Sequence, residues 1–176
     1  MATKSSAFYI MTSKDEKSSQ SVSIGENRSI VMTSHHNGLT LTKEENRSNR
    51  RKHDSTVNIK ASGVKILCKF MNDIRKAVDE CKSDELKETF MLPLGERLYV
   101  QIQPGVLCLS IRQFFRPKSN QSLLLPGFPG VSLNFREFQN FLSEWDEIIE
   151  SIDFTNAKIC EYDNIEQHKE CLPCWY

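Results

Sequence analysis

The chain has 176 residues, enough for one ordinary domain or two very small ones, and its 23 basic side chains are balanced by 23 acidic ones. This balance gives no overall sign of a nucleic-acid or membrane partner. No apolar run approaches the roughly 18 residues that span a bilayer, and the N-terminus lacks the apolar core of a signal peptide. These features predict a soluble intracellular protein whose six cysteines are reduced thiols or metal ligands rather than a disulfide framework.

The N-terminal half is the more basic half, with 16 Lys and Arg against 12 Asp and Glu in residues 1–89. Residues 1–21 are rich in Ser and Lys and predict a flexible arm. Residues 46–54 then carry a basic cluster formed by Arg47, Arg50, Arg51 and Lys52. We interpret the cluster as a nuclear import signal or a phosphate-contacting loop, with a merely solvated loop as the alternative.

Residues 22–89 around this cluster contain short apolar patterns. The segments Val22–Met32 and Gly38–Glu45 echo motifs of residues 90–152, and Thr42 with Glu45 matches a helix capping box. Farther along, a stripe of apolar residues at helical spacing predicts a helix over residues 64–80. Its members are Leu67, Phe70, Met71, Ile74 and Val78.

The clearest core candidate is the segment from residue 90 to residue 152. Two runs of alternating apolar and polar residues, Leu98–Gln103 and Leu107–Arg112, flank Pro104-Gly105 and predict a hairpin. Leu123–Leu125 predicts a short third strand, followed by a Pro-Gly-rich turn and a brief strand at residues 131–133. An apolar stripe from Phe135 to Ile152 then predicts a helix of about five turns, with Asn134 as its cap and Glu137 closing a capping box.

Several sequence motifs of this segment resemble the positive-cofactor-four family of transcriptional coactivators, which bind single-stranded DNA. The matching residues are Phe90, Gly95 and Tyr99-Val100, then the strand end Ile111–Phe115, then the Pro-Gly-x-x-Gly-Val-Ser-Leu-Asn run that leads from Pro126 into a helix containing Trp145. The resemblance implies an α+β fold: a curved antiparallel sheet of about four strands followed by a long C-terminal helix. It also implies a homodimer through that helix, or a pseudo-dimer within one chain if residues 22–80 are a degenerate partial repeat. Gly25 and Gly38 are 13 residues apart whereas Gly95 and Gly130 are 35 apart, so that repeat is expected to lack two middle strands. The alternative is that the motifs recur by chance in a polar linker.

The resemblance also implies which residues contact nucleic acid. Cations would follow phosphates and flat side chains would stack on bases. The predicted contacts are Arg97, Tyr99, Arg112, Phe115, Arg116 and Lys118. The helix face implied for dimerisation consists of Phe138, Leu142, Trp145 and Ile149.

The tail, residues 153–176, contains a candidate zinc site. Cys171 and Cys174 form a Cys-x-x-Cys pair, and His168 and Cys160 precede it, which supplies the four N and S ligands that tetrahedral zinc prefers. The alternative is that the cysteines are small apolar side chains that pack the terminus onto the core.

Two functions follow from these patterns. The first is a nuclear, non-enzymatic single-stranded DNA- or RNA-binding protein of coactivator type, with proteins of the transcription machinery as further partners. The second is a protein-interaction or dimerisation module that keeps the fold, because Glu96 and Leu98 stand where the family carries cations and Leu123–Leu125 with Phe128 could form an apolar patch. No enzyme is predicted, since no Ser/His/Asp arrangement, phosphate-binding glycine loop or apolar carboxylate pair is present.

Overall fold

One order of elements, four strands followed by helices, occurs twice along the chain. The computed structural model describes residues 21–24, 29–44, 55–162 and 164–171. The first half contains β1 (Ser21–Ser23), β2 (Ser29–His35), β3 (Gly38–Glu44), β4 (Ser55–Lys60), α1 (Ala61–Lys69) and α2 (Met71–Lys82). The second half contains β5 (Phe90–Gly95), β6 (Leu98–Ile102), β7 (Cys108–Phe115), β8 (Leu125–Asn134), α3 (Phe135–Ile149) and α4 (Ile165–Lys169).

The strands form two separate antiparallel sheets of four, in the orders β1-β2-β3-β4 and β5-β6-β7-β8. The predicted α+β class with antiparallel strand pairing is therefore confirmed, but the chain has two sheets where one curved sheet was predicted. Most of the predicted arm (residues 1–20) and the basic cluster (residues 46–54) lie outside the described residues. No helix in the described part of the chain is long and apolar enough to cross a membrane.

The expectation that the first half lacks two middle strands is wrong. Residues 29–35 and 38–44 are two strands that pair in full register, from Ser29 opposite Glu44 to His35 opposite Gly38. Gly38 begins the third strand of its sheet, whereas Gly130 lies in the last strand before α3. The two glycines are not equivalent, so the 13-residue spacing from Gly25 to Gly38 does not indicate missing strands. For the same reason Thr42 lies inside β3 and caps no helix.

The predicted hairpin of the second half is confirmed as β6 and β7, which pair with Val100 opposite Ile111. The predicted short strand, turn and strand after Leu123 are wrong, because β8 runs from Leu125 to Asn134 and pairs with β7 at both its ends. The register shifts between Arg112 and Phe114, and this irregular stretch includes the cis peptide bond between Phe128 and Pro129. The ladder thus accommodates the proline-glycine segment instead of ending at it.

The cap of α3 is as predicted. The Asn134 side chain accepts a hydrogen bond from the Glu137 amide at 2.8 Å, and the Glu137 carboxylate accepts one from the Asn134 amide at 2.8 Å. The helix ends at Ile149, so it is 15 residues long, about four turns rather than five. Upstream, the predicted helix over residues 64–80 is two helices, because the backbone at Phe70 leaves the helical conformation.

The two halves share one hydrophobic core. Helix α3 of the second half contacts β1 and β2 of the first sheet, and α1 and α2 of the first half contact β5 and β6 of the second sheet. Asn140 donates to the Ile24 carbonyl at 3.1 Å, and the Ser151 hydroxyl lies 2.5 Å from that of Ser34. A side chain on Gly63 would place its Cβ 2.8 Å from the Leu94 carbonyl oxygen, which shows how closely α1 approaches β5.

Candidate nucleic-acid interface

The second sheet has one face in the core and one face directed away from it. Val100, Ile111 and Val131 lie side by side on the core face and are buried. Since side chains alternate along a strand, the next residues on each strand occupy the outer face. Its members along β6, β7 and β8 are Tyr99, Gln101, Ser110, Arg112, Gly130 and Ser132.

Arg112 lies on this outer face, within β7 rather than at its end. Its Nη2 donates a hydrogen bond to the Ser132 hydroxyl on β8 at 3.0 Å. Gly130 stands opposite it, and a Cβ there would lie 2.6 Å from the Arg112 Cβ. The absence of a side chain at residue 130 therefore lets the arginine lie across β8.

Tyr99 does not offer its ring for stacking. It is 3% exposed, and its ring packs edge-on against that of Phe114 with 5.2 Å between centroids. An aromatic residue on a strand usually packs in this way. The predicted stacking role of Tyr99 is therefore not supported, although the residue lies directly opposite Arg112.

The end of the β7–β8 hairpin extends past β6, and we call residues 114–128 the β7–β8 arm. It carries three large apolar side chains in solvent: Phe128 is 93% exposed, Leu123 45% and Phe115 43%. The predicted cations Arg116 and Lys118 are exposed on the same arm, and Arg116 donates to the Gln121 carbonyl at 2.7 Å. The arm thus combines exposed rings with positive charge.

Arg97 lies at the root of this arm. It is the second residue of the two-residue turn between β5 and β6, where Glu96 and Arg97 both have positive φ, as a type I′ hairpin turn requires. Its carbonyl oxygen accepts a hydrogen bond from the Phe114 amide at 2.8 Å. Five of the six predicted contact residues therefore remain exposed or half-buried around β7 and its arm, with Tyr99 as the exception.

The outer face of the first sheet consists of hydroxyl and amide side chains that the sequence analysis does not single out. Thr40 donates to Asn58 at 2.8 Å and also lies 3.1 Å from a ring nitrogen of His35, while Thr42 and Thr56 are 3.3 Å apart. These contacts join β2, β3 and β4. This face offers hydrogen bonds and the His35 imidazole, but no Phe, Tyr or Trp ring among its described residues.

The predicted dimer helix packs within its own chain. Phe138 and Trp145 are 2% and 5% exposed, and the Trp145 indole lies near the Cys68 thiol of α1. Leu142 and Ile149 are half-buried. A cleft of about 440 Å³ separates α3 from α2, with Phe138 and Leu142 among its lining residues.

Two of the four predicted zinc ligands lie together. Cys160 Sγ is 2.9 Å from His168 Nδ1, and His168 Nε2 is 3.0 Å from the Pro93 carbonyl oxygen. A carbonyl only accepts, so Nε2 carries the hydrogen and Nδ1 is left free to accept or to ligate. Burial is the main cause that lowers the pKa of His168.

This arrangement fits part of a metal site, since a ligating histidine normally donates its other ring N–H to a carbonyl or carboxylate. Cys171 is buried and follows His168, while Cys174 lies outside the described residues. Within the described ranges no group of three or more His, Cys, Asp or Glu side chains is placed to hold a metal ion.

No protein-family model matches the chain, and neither a curated protein nor a solved structure is similar to it. The resemblance to the coactivator family therefore rests on the sequence motifs alone.

Proposed function

We propose that the protein is a non-enzymatic, single-stranded nucleic-acid-binding protein of transcriptional-coactivator type that acts in the nucleus. The observation that carries the proposal is the β7–β8 arm, which exposes both Phe128 and Phe115 and also carries the exposed cations Arg116 and Lys118. A 93% exposed phenylalanine contributes nothing to the core, whereas a ring beside cations is what a protein needs to stack on an unpaired base.

The rings and the cations of the arm have different roles in binding. The rings of Phe115 and Phe128 supply stacking surface, which unpaired bases reach and paired bases do not. Arg97, Arg116 and Lys118 supply phosphate contacts around the rings. The basic cluster of residues 47–52 adds further positive charge from outside the described part of the chain.

We expect a single chain, which contains both sheets, to act without a second copy. Trp145 and Phe138 are covered by the chain's own α1 and α2, which favours helix pairing within the chain over pairing in a homodimer. Sedimentation at two concentrations distinguishes them, because a homodimer changes its mass on dilution and a monomer does not.

The test is an equilibrium titration with single-stranded and duplex oligonucleotides of one sequence. We expect tighter binding to the single strand. Phe128→Ala and Phe115→Ala should each cost about 1 to 3 kcal/mol of binding and leave the salt dependence unchanged. Tyr162→Ala is the matched control, because Tyr162 is also a half-exposed aromatic residue, at 47%, and lies outside the arm.

Charge removal should give the opposite pattern. Arg116→Ala should weaken binding at low salt and reduce the slope of log affinity against log salt by about 0.7, the value for one single-strand phosphate. Equal affinity for duplex and single strand, together with no effect of Phe128→Ala, would exclude the proposal.

The second candidate is a protein-interaction module that uses the same arm. Leu123, exposed at 45% on the same arm as Phe128, favours it, since an aliphatic side chain adds nothing to base stacking. Leu123→Ser separates the two functions: it should leave oligonucleotide binding intact if the first holds. If no oligonucleotide binds, and both Leu123→Ser and Phe128→Ala reduce concentration-dependent self-association, the interaction module replaces it.

We also propose a structural zinc ion in the tail, held by Cys160, His168, Cys171 and Cys174. The support is the contact of Cys160 with His168 Nδ1 and the Nε2 bond to Pro93. Protein purified under reducing conditions should contain about one equivalent of zinc. Metal analysis that finds none removes the zinc and leaves the nucleic-acid proposal untouched.

A further inference from the structure

The two sheets meet along β4 and β8, which contact each other without belonging to one sheet. β8 is the last strand of its sheet, so one of its edges has no strand partner. Side chains of the first sheet bind that edge: Ser55 Oγ donates to the Gly130 carbonyl at 2.6 Å, and Lys43 Nζ lies 3.5 Å from the Ser132 carbonyl oxygen. We call this contact line the seam.

Two cations from different halves of the chain converge on one residue at the seam. Lys43 of β3 reaches the main-chain carbonyl of Ser132, and Arg112 of β7 donates to the Ser132 hydroxyl at 3.0 Å. Both side chains are half-buried, so each keeps an accessible part. The Lys43 contact spans 89 residues of sequence, which explains why the sequence analysis gives no indication of it.

The positive charge of this pair is not balanced locally. Neither Lys43 nor Arg112 forms an ion pair with a carboxylate among the side chains that the structure describes. The neighbouring Glu137 is engaged in the cap of α3. In addition, Arg112 Nε is buried and has no hydrogen-bond partner among the residues that the structure describes, which costs free energy.

Both cations influence the pKa of the Cys108 thiol. Burial raises the pKa of this thiol, and the charges of Arg112 and then Lys43 oppose the rise. Both cations are therefore close enough to influence one thiol, in agreement with their contacts to the main chain and side chain of Ser132.

We propose that Lys43, Arg112 and the Ser132 hydroxyl form a binding site for one phosphate group. Two cations and a hydroxyl donor suit an anion with several acceptor oxygens, and a guanidinium binds two of them at once. The phosphate is a phosphodiester of a bound single strand, an assignment that rests on the proposed function. Because each sheet supplies one cation, the bound strand crosses the seam from one half of the chain to the other.

The first experiment tests the anion site without nucleic acid. Inorganic phosphate is compared with chloride at equal ionic strength, and thermal unfolding of the wild type and of Lys43→Met is followed. At about ten times its dissociation constant, phosphate should raise the Tm of the wild type by roughly 3 to 6 °C. Phosphate also stabilises proteins through exclusion from their surface, so the quantity tested is the difference between the two proteins.

Lys76→Met is the matched control, since Lys76 is an exposed lysine on α2 whose side chain is 77% accessible. It should respond to phosphate as the wild type does. Equal responses of wild type and Lys43→Met would overturn the phosphate site, whether or not oligonucleotides bind.

The second experiment tests the source of the phosphate. The salt dependence of single-strand binding is measured for Lys43→Met, Arg112→Gln and the double variant. If both cations hold one phosphate, each single variant should reduce the slope by about 0.7, and the double variant should reduce it by no more than that. A double variant that loses about 1.4 has lost two separate phosphates, which would overturn the shared site.

The two experiments together separate the remaining outcomes. A phosphate effect on Tm that Lys43→Met abolishes, with an unchanged oligonucleotide slope, would overturn the nucleic-acid source and leave a site for free phosphate. Failure of all oligonucleotide binding would refute the proposed function, while the thermal experiment would still decide the anion site.

Discussion

Replacement of Trp145 by alanine tests how the two halves are held together. The side chain is 5% exposed, its ring centroid lies 4.9 Å from that of Phe141, and the indole lies near Cys68 of α1. Removal of roughly 150 to 200 Å² of buried ring surface at about 25 cal/mol per Å² corresponds to about 4 to 5 kcal/mol. This is an upper value, because the unfolded chain already buries part of the ring. We therefore expect the free energy of unfolding to fall by about 3 to 5 kcal/mol.

Urea unfolding followed by circular dichroism measures this loss. With a slope near 2 kcal/mol per molar urea, the midpoint should fall by roughly 1.5 to 2.5 M. Phe128→Ala is the control, since it removes an aromatic ring that is 93% exposed and should not shift the midpoint. The wild-type midpoint should also be independent of protein concentration, because the ring is covered within one chain. A shift below about 0.5 M for Trp145→Ala would refute the packing of α3 described above.

Three further predictions concern local structure. Asn134→Ala removes half of the α3 capping box and should lower the free energy of unfolding by about 1 kcal/mol in urea titrations, whereas Asn134→Ser should recover most of it. Gly38→Ala should cost clearly more than about 1 kcal/mol, because Gly38 has a φ of +153° and its new Cβ would lie 2.1 Å from the Ile59 carbonyl oxygen; an unchanged Tm would contradict the tight β3–β4 approach. Burial lowers the pKa of His168 from 6.5, so the unfolded chain binds the proton more readily than the folded one. In the presence of a chelator, the free energy of unfolding should therefore be full above pH 6.5 and fall as the pH drops below it, by at most about 1.4 kcal/mol per pH unit. His168→Gln should flatten this pH dependence.

The parts of the fold that the sequence predicts are those with local signals. Asn134 and Glu137 are three residues apart, so their capping box can be recognised without knowledge of the rest of the chain. The β6–β7 hairpin is equally local, because the alternation of Val100 and Ile111 with polar neighbours marks one buried face. The same alternation was present at Ile30 and Met32 of β2. The short spacing from Gly25 to Gly38 nevertheless indicates missing strands, and this indication is wrong because Gly38 begins an inner strand, β3.

The candidate site could be predicted only in part for the same reason. Strand alternation places Arg112 on the outer face, and this is correct. The burial of Tyr99 depends on the ring of Phe114, whose position follows from a register shift between β7 and β8. Lys43 reaches Ser132 across two sheets, and a contact of that range leaves no pattern in a single sequence.

The contacts between the helices of each half and the sheet of the other half affect how the chain folds. Helix α3 packs on β1 and β2, which lie about a hundred residues earlier in the chain. The hydrogen bonds of its capping box are local and do not depend on these strands. Each sheet is covered in part by a helix of its own half, α1 on β3 and β4 and α3 on β7 and β8, and in part by a helix of the other half. This second part of the burial forms only after long loops have closed, and the entropy of closing them opposes folding until then. The molecule should fold slowly and in one cooperative step, and residues 90–152 expressed alone would expose the face of α3 that the first sheet covers.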